Sequence, residues 1–160
     1  MSGFLSLPPA GPAAPAALPD AIPFDGFWPA LSLSGAREAM RIPTDITDTR
    51  LRDAIANAML EVADDLDVWR TVQNAAGHTT LADVSDRQVA GEPRLFILWR
   101  RAVHSLAAAG LAEIQRGPDS TPAGIDRAQQ LDTTAADLRR DARWAIRDIL
   151  GIPHSTVELI

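Results

Sequence analysis

The sequence of 160 residues contains neither cysteine nor lysine, and these absences narrow the possible classes of protein. Without cysteine, neither a disulfide framework nor a thiolate metal site is possible. The 15 basic residues are all arginines, and 21 acidic residues outnumber them, which gives a net charge of -6. Because nucleic-acid-binding domains are usually basic, this balance argues against a general nucleic-acid binder.

Long apolar runs are missing as well. No run approaches the roughly 18 residues needed to span a membrane, and no basic residue precedes Arg37, so we expect neither a membrane span nor a signal peptide. Hydrophobic residues nevertheless make up 46% of the chain, which is enough for a real core. The length fits one domain with a tail.

Hydrophobic periodicity predicts an all-α fold, a bundle of three long helices plus one short helix. The short helix is expected at 35–41, and the first long helix begins after Thr47 and ends before Gly77. The central helix is expected at 93–116 and is apolar around about half of its circumference. Since one neighbour requires a stripe of only about 100°, this helix should have neighbours on two sides. The last helix begins near 125, or at the latest at 133, and ends at Leu150.

The two ends of the chain differ from this helical region, which we place at 31–152. Residues 1–30 form a predicted disordered, Ala/Pro-rich N-terminal arm, since five prolines between Pro8 and Pro19 favour an extended segment. Residues 153–160 form a predicted extended C-terminal tail, in which apolar and polar residues alternate with the period of a strand.

Three aromatic residues stand at the end of the arm, namely Phe24, Phe27 and Trp28. Two interpretations are open for them. They fold back on the chain's own core, or they dock on a neighbouring subunit.

No group of residues indicates catalysis, a cofactor or a metal. None of the three histidines, His78, His104 and His154, has a second histidine at the i, i+3 or i, i+4 spacing that a helical metal site would use. His104 lies opposite the central helix's main apolar face, so we expect ordinary structural or solvent-facing roles. The acidic cluster from Glu61 to Asp67 is typical of the solvated face of an amphipathic helix. Neither a phosphate-binding loop nor a Ser/His/Asp pattern is present. We therefore expect that the protein is not an enzyme.

The last helix carries the most informative surface pattern. Four arginines fall within about 100° of its helical wheel, and the next face combines three aspartates with a tryptophan. Because tryptophan and arginine are enriched at interface hot spots, one interpretation is a subunit interface formed by this face with acids of the first helix. In the other, a loop covers the tryptophan and the arginines pair locally. A DNA-binding face is a third option, which the aspartates weaken. The predicted interface residues are Arg139, Arg140, Arg143, Trp144, Arg147, Asp64 and Asp67.

The sequence resembles the head completion protein family (L type) of temperate contractile-tailed phages. The resemblance extends from Phe27 to Ile160 and depends on the order and spacing of several stretches. These are FWP (27–29), REAMRI (37–42), LRDAIANAM (51–59), TTLADV (79–84), RRAVHSLAAAGL (100–111) and RRDARWAIRDILGIP (139–153), with VELI at the end.

This resemblance implies a structural role at the head–tail junction of the virion, after assembly in the host cytoplasm. The protein is expected to form a ring of about twelve copies on the portal after DNA packaging, to close the filled capsid and to provide a platform for tail attachment. Its partners would be the portal protein, a tail or neck protein, further copies of itself and, without specificity, the packaged DNA. The resemblance implies no cofactor, and we expect no membrane partner.

We expect the C-terminal residues Val157, Leu159 and Ile160 to dock on the portal by strand addition or in an apolar groove. The alternative function is a small helical regulator that binds DNA or a partner protein. Such a regulator needs exposed arginine, asparagine or glutamine near the start of a recognition helix, whereas the arginines here lie near the end of the last helix.

Overall fold

The computed structural model of the chain describes residues 18–114 and 122–153, and in the second range it describes side chains from residue 134 onward. Residues 1–17 of the predicted arm and 154–160 of the predicted tail lie outside this part. The elements in chain order are β1 (Ala21–Ile22), β2 (Leu31–Ser32), α1 (Leu33–Ala39), α2 (Asp48–Asp65), α3 (Asp67–Ala75), a 3-10 helix (Leu81–Val84), β3 (Gln88–Val89), β4 (Glu92–Pro93), α4 (Arg94–Ile114) and α5 (Pro122–Leu150).

The helical class is confirmed, but the number of helices differs from the prediction. The predicted first long helix is divided at Leu66, which has φ -102° and ψ 4° and separates α2 from α3. Leu66 is fully buried, and its carbonyl still accepts a hydrogen bond from Arg70 N at 2.8 Å. Apolar spacing from Leu66 through Trp69 to Val72 predicts that Val72 faces the core, but Val72 is 59% exposed. A period of 3.6 residues cannot predict where a helix bends.

The central helix α4 contacts both α2 and α5, as its wide apolar arc predicts. Trp99, Ala102 and Val103 are fully buried in the main core, which also includes residues of α2 and α5. Further along α4, Ala109 and Ala112 pack with Ala135 of α5 in a second, smaller cluster. Small side chains allow α5 to approach α4 closely there.

The chain from residue 18 to residue 32 contributes to the core, although the sequence analysis placed the arm at 1–30. β1 pairs with β2 in an antiparallel hairpin, and Asp25 Oδ1 accepts a hydrogen bond from Phe27 N at 3.2 Å. The turn brings Phe27 and Trp28 inside, where they are 4% and 2% exposed. The core therefore begins N-terminal to the predicted boundary at residue 31. The free energy gained by burying the aromatic rings offsets the conformational entropy lost when a short extended segment becomes ordered.

The connection between α3 and α4 is held to the core by Leu81, which is fully buried. Its amide donates a hydrogen bond to the carbonyl of Phe27 at 2.9 Å. The hairpin of β3 and β4 follows, in which Ala90 and Gly91 both have positive φ. Within the described residues, no helix combines the length and the hydrophobicity that crossing a membrane requires.

Candidate subunit interface

The outer face of α5 carries the predicted interface arginines, and the structure divides them into engaged and exposed side chains. Arg139 forms a bidentate pair with Glu113 of α4, with Nη2 donating to Oε2 at 2.6 Å. These hydrogen bonds raise the pKa of Arg139 above its usual value. A fork-to-fork pair of this kind connects α4 to α5, so the guanidinium of Arg139 already has a charged partner within the chain.

Arg147 is also engaged within the chain. Its Nη2 donates to the carbonyl of Pro153 at 2.7 Å, which ties the residues after α5 back to the last turn of that helix. A cation in the last turn also interacts favourably with the helix dipole. Neither Arg139 nor Arg147 is thus a freely presented cation.

Arg140, Arg143 and Trp144 form the surface-directed part of this face, which we call the α5 patch. Trp144 is 38% exposed, and Arg140 Cζ lies 5.1 Å from its ring centroid in a cation–π arrangement. Arg140 also pairs with Asp137 at 2.9 Å. Arg143 is exposed and forms no ion pair with any residue whose side chain is described. The α5 patch therefore presents an aromatic ring with one guanidinium group beside it and a second exposed arginine at the neighbouring position in the chain.

The predicted acidic partners lie at the junction of α2 and α3. Asp64, Asp65 and Asp67 are exposed, and no ion pair joins them to a described cation. Asp64 and Asp65 stand in the last turn of α2, which contains no basic residue. Because the carboxyl end of a helix carries partial negative charge, each acid there is unfavourable by roughly 0.3–1 kcal/mol unless a cation is nearby.

Apolar side chains adjoin these acids, a feature that the sequence analysis did not identify. Val68 is 79% exposed and Val72 is 59% exposed, one turn apart on α3. Val68 stands two residues after the buried Leu66, so helical spacing alone already places it away from the apolar face. The exposure of Val72, which continues the apolar spacing, accompanies the break between α2 and α3 at Leu66. We call the three aspartates and these two valines the α2–α3 patch.

The arm residues have a different environment. Phe27 and Trp28 are buried, and Phe24 is half-buried with its ring centroid 6.4 Å from that of Trp99. This is the interpretation in which they fold back on the chain's own core. Phe27 and Trp28 consequently have almost no surface with which to dock on a neighbour. The predicted portal-docking residues Val157, Leu159 and Ile160 lie outside the described residues.

Of the two ordinary roles expected for His104, structural or solvent-facing, the structure agrees with the structural one, because this residue is only 9% exposed although it stands opposite the main apolar face of α4. Residues near β2 and α1 line one side of it, and residues of α5 line the other. Burial, with a smaller contribution from the charge of Arg100, lowers the pKa of His104 to about 4. In the part of the chain that the structure describes, no three metal-ligating side chains stand together.

Comparisons with known proteins identify the family. The chain matches the family described as phage head completion protein (GPL) over residues 22–160. It is 37% identical over 134 residues to the head completion/stabilization protein of Escherichia phage P2. The aligned region covers 84% of this chain and 79% of that protein. No solved structure shows significant similarity. Because both similarities extend over most of its length, the chain belongs to the phage head completion protein (GPL) family.

Proposed function

We propose that the protein completes the phage head as a ring on the portal after DNA packaging, where it closes the filled capsid and provides a platform for the tail. Family membership supports head completion as its structural role. The observation that carries the ring is the presence of two unlike, chemically complementary patches on one chain. The portal, a neck or tail protein and further copies of the chain are its proposed partners in the virion.

The chemistry of the patches favours contact between copies. The α5 patch offers Trp144 beside arginines, whereas the α2–α3 patch offers exposed valines beside aspartates that lack a described cation. A tryptophan placed on Val68 and Val72 would bury apolar surface, and Arg143 would compensate the acids at the end of α2. The proposed cationic contribution comes mainly from Arg140 and Arg143, because Arg139 and Arg147 have partners within the chain.

The patches are different from each other, so a contact between them is heterologous. Heterologous contacts repeat from copy to copy and generate a ring when the rotation closes, for which about twelve copies is the number we propose. With a net charge of -6 per chain, such a ring carries tens of negative charges. A negative lumen would let the packaged DNA pass without adhering to it.

A charge-reversal and rescue experiment tests this interface. In the presence of the portal, Arg143→Glu should reduce ring formation at least about tenfold, because it brings a carboxylate onto the acidic patch. Adding Asp67→Arg to the same chain should restore rings. Arg50→Glu is the matched control, since Arg50 is an exposed arginine at the opposite end of α2. Electron microscopy counts the rings, and undiminished ring formation by Arg143→Glu would contradict the proposed interface.

We propose that Val157, Leu159 and Ile160 dock on the portal. Deletion of residues 155–160 should abolish portal binding while the helical circular dichroism remains that of the full chain, because these residues lie beyond α5. Normal head completion by the truncated protein would contradict this assignment. Rings formed with full-length protein provide the positive control.

A further inference from the structure

A groove of about 540 Å³ separates the β2–α1 region from α4. Its apolar lining includes Pro29, Leu31 and Phe96, and the ion pair of Arg100 with Glu92 forms part of its polar lining. The pair is bidentate, with Arg100 Nη2 to Glu92 Oε2 at 2.8 Å. An aromatic ring, proline and nearby charged groups in one groove suit an extended peptide better than a compact small molecule.

His104 gives this groove an unsatisfied polar group. It is 9% exposed, and its Nε2 has no hydrogen-bond partner among the described residues. The same side chain lines a second cavity of about 470 Å³, and Ala39 also belongs to both cavities. An unsatisfied buried polar nitrogen costs about 1–3 kcal/mol, and a turn of the imidazole toward a peptide carbonyl or amide in the groove would remove this cost.

The N-terminal segment of the chain leaves from the rim of the groove. Asp20 Oδ2 accepts from Ser32 Oγ at 2.7 Å, and the carbonyl of Asp20 accepts from Leu33 N at 2.8 Å. Ser32 itself lines the groove. Residues 1–17 therefore precede a segment that is held beside this groove, and they lie before the family match, which begins at residue 22.

The composition of that segment identifies what could fill a groove of this kind. After Met1, its large apolar side chains are Phe4, Leu5 and Leu7, and Pro8 and Pro9 follow directly. Proline-rich segments favour the polyproline II conformation, whose carbonyls have no internal hydrogen bonds. Such carbonyls can accept from a neutral imidazole N–H or from Arg100, while Phe4 or Leu7 contacts the apolar lining.

We propose that residues 4–9 of one copy occupy this groove on the neighbouring copy of the ring. The proposal depends on the ring described above. Leu7 precedes Leu18 by 11 residues, so an extended segment between them spans roughly 34 Å. That distance is close to the length of α4, about 32 Å for its 21 residues, and thus to the dimension of one domain. The prolines between Leu7 and Leu18 disfavour the reversal of chain direction that docking in the groove of the same chain requires.

Disulfide trapping tests the exchange directly, because the natural chain contains no cysteine. The doubly substituted chain Leu7→Cys/Ala39→Cys places one thiol in the segment and one beside the groove. After mild oxidation of rings assembled with the portal, a non-reducing gel should show a ladder of covalently joined copies. The matched control Leu7→Cys/Ala75→Cys, with its second thiol at an exposed alanine of α3, should give at least about tenfold less product. Adding Phe4→Ser to the trapping variant should reduce the ladder several-fold.

Each outcome has one meaning when rings are counted by electron microscopy in the same sample. Rings without a ladder overturn the exchange and leave the proposed head-completion ring intact. A fast-migrating monomer with an internal disulfide, in place of the ladder, overturns the assignment to a neighbour. Equal ladders from the trapping variant and the Ala75→Cys control show random collision and also overturn it. Absence of rings contradicts the proposed function and, with it, the exchange between copies.

Discussion

Two regions of the molecule use the same types of residue in different ways. In the aromatic cluster of Phe27, Trp28, Trp69 and Trp99, the rings of Trp28 and Trp99 stack at 4.4 Å between centroids. In the α5 patch, Trp144 stands on the outside of its helix and is 38% exposed. Three of the four tryptophans thus belong to the aromatic cluster in or against the core, whereas Trp144 keeps part of its ring at the surface.

The local chemistry of the two regions is almost the same. In the aromatic cluster, Arg70 lies 5.4 Å from the Phe27 ring centroid and pairs with Asp25. In the α5 patch, Arg140 lies 5.1 Å from Trp144 and pairs with Asp137. An arginine, an acid and an aromatic ring therefore do not distinguish a structural site from an interface. What distinguishes them is coverage by other parts of the chain. Phe27, in the turn between β1 and β2, contacts the ring of Trp69 in α3, and its carbonyl accepts a hydrogen bond from Leu81 in the connection before α4.

The largest expected effect separates the two regions by stability. Trp28→Ala should lower the free energy of unfolding by about 3–5 kcal/mol, since it leaves a cavity between Trp69 and Trp99. Trp144→Ala should change that free energy by less than about 1 kcal/mol, because the ring is already partly solvated. Urea denaturation followed by circular dichroism measures both values. Similar losses for the two variants would remove the distinction between core and interface tryptophans.

An intermediate effect concerns pH and His104. The pKa of its imidazole is lowered from 6.5 to about 4 in the folded protein. At pH values between these two, the imidazole of the unfolded chain binds a proton, whereas that of the folded chain does not. The free energy of unfolding should therefore fall as pH decreases from about 6.5 to 4, by about 3 kcal/mol from this group. Burial of the imidazole is the main cause.

The variant His104→Gln isolates this contribution, since glutamine does not titrate. Asp20, Asp83 and Glu92 also have lowered pKa values, but they are present in both proteins and act alike in both. Thermal denaturation at pH 8, 6, 5 and 4 provides the measurement. Parallel pH profiles for the two proteins would show that His104 is not a buried neutral imidazole.

The smallest expected effect on stability compares two arginines of α5. Arg139→Ala should lower the free energy of unfolding by about 0.5–1 kcal/mol, because it breaks a partly exposed bidentate pair with Glu113. Arg143→Ala should leave stability within about 0.5 kcal/mol but weaken ring assembly on the portal. Calorimetry and ring counts on the same preparations check both statements. An assembly defect for Arg139→Ala larger than that for Arg143→Ala would reverse the assignment.

Periodicity predicted the helical class, the position of α4 and its two-sided burial, because all of these depend on the spacing of apolar residues. It did not predict the break at Leu66, since Trp69 and Val72 continue the helical spacing of apolar residues beyond it. It also placed His104 outside the core, because a wheel for one helix contains no information about α1 and β2. The paired state of Arg139 was hidden for the same reason: Glu113 lies 26 residues away along the chain.

The sequence by itself determined the helical class, the absence of thiol chemistry, the acidic charge and the family, since these follow from composition, spacing and residue order. Only the tertiary structure decided which arginines are engaged and which tryptophan is left outside. It also decided that the aromatic residues after the arm belong to the core. The physical reason is that burial and ion pairing depend on elements distant in the chain, whereas periodicity records only near neighbours.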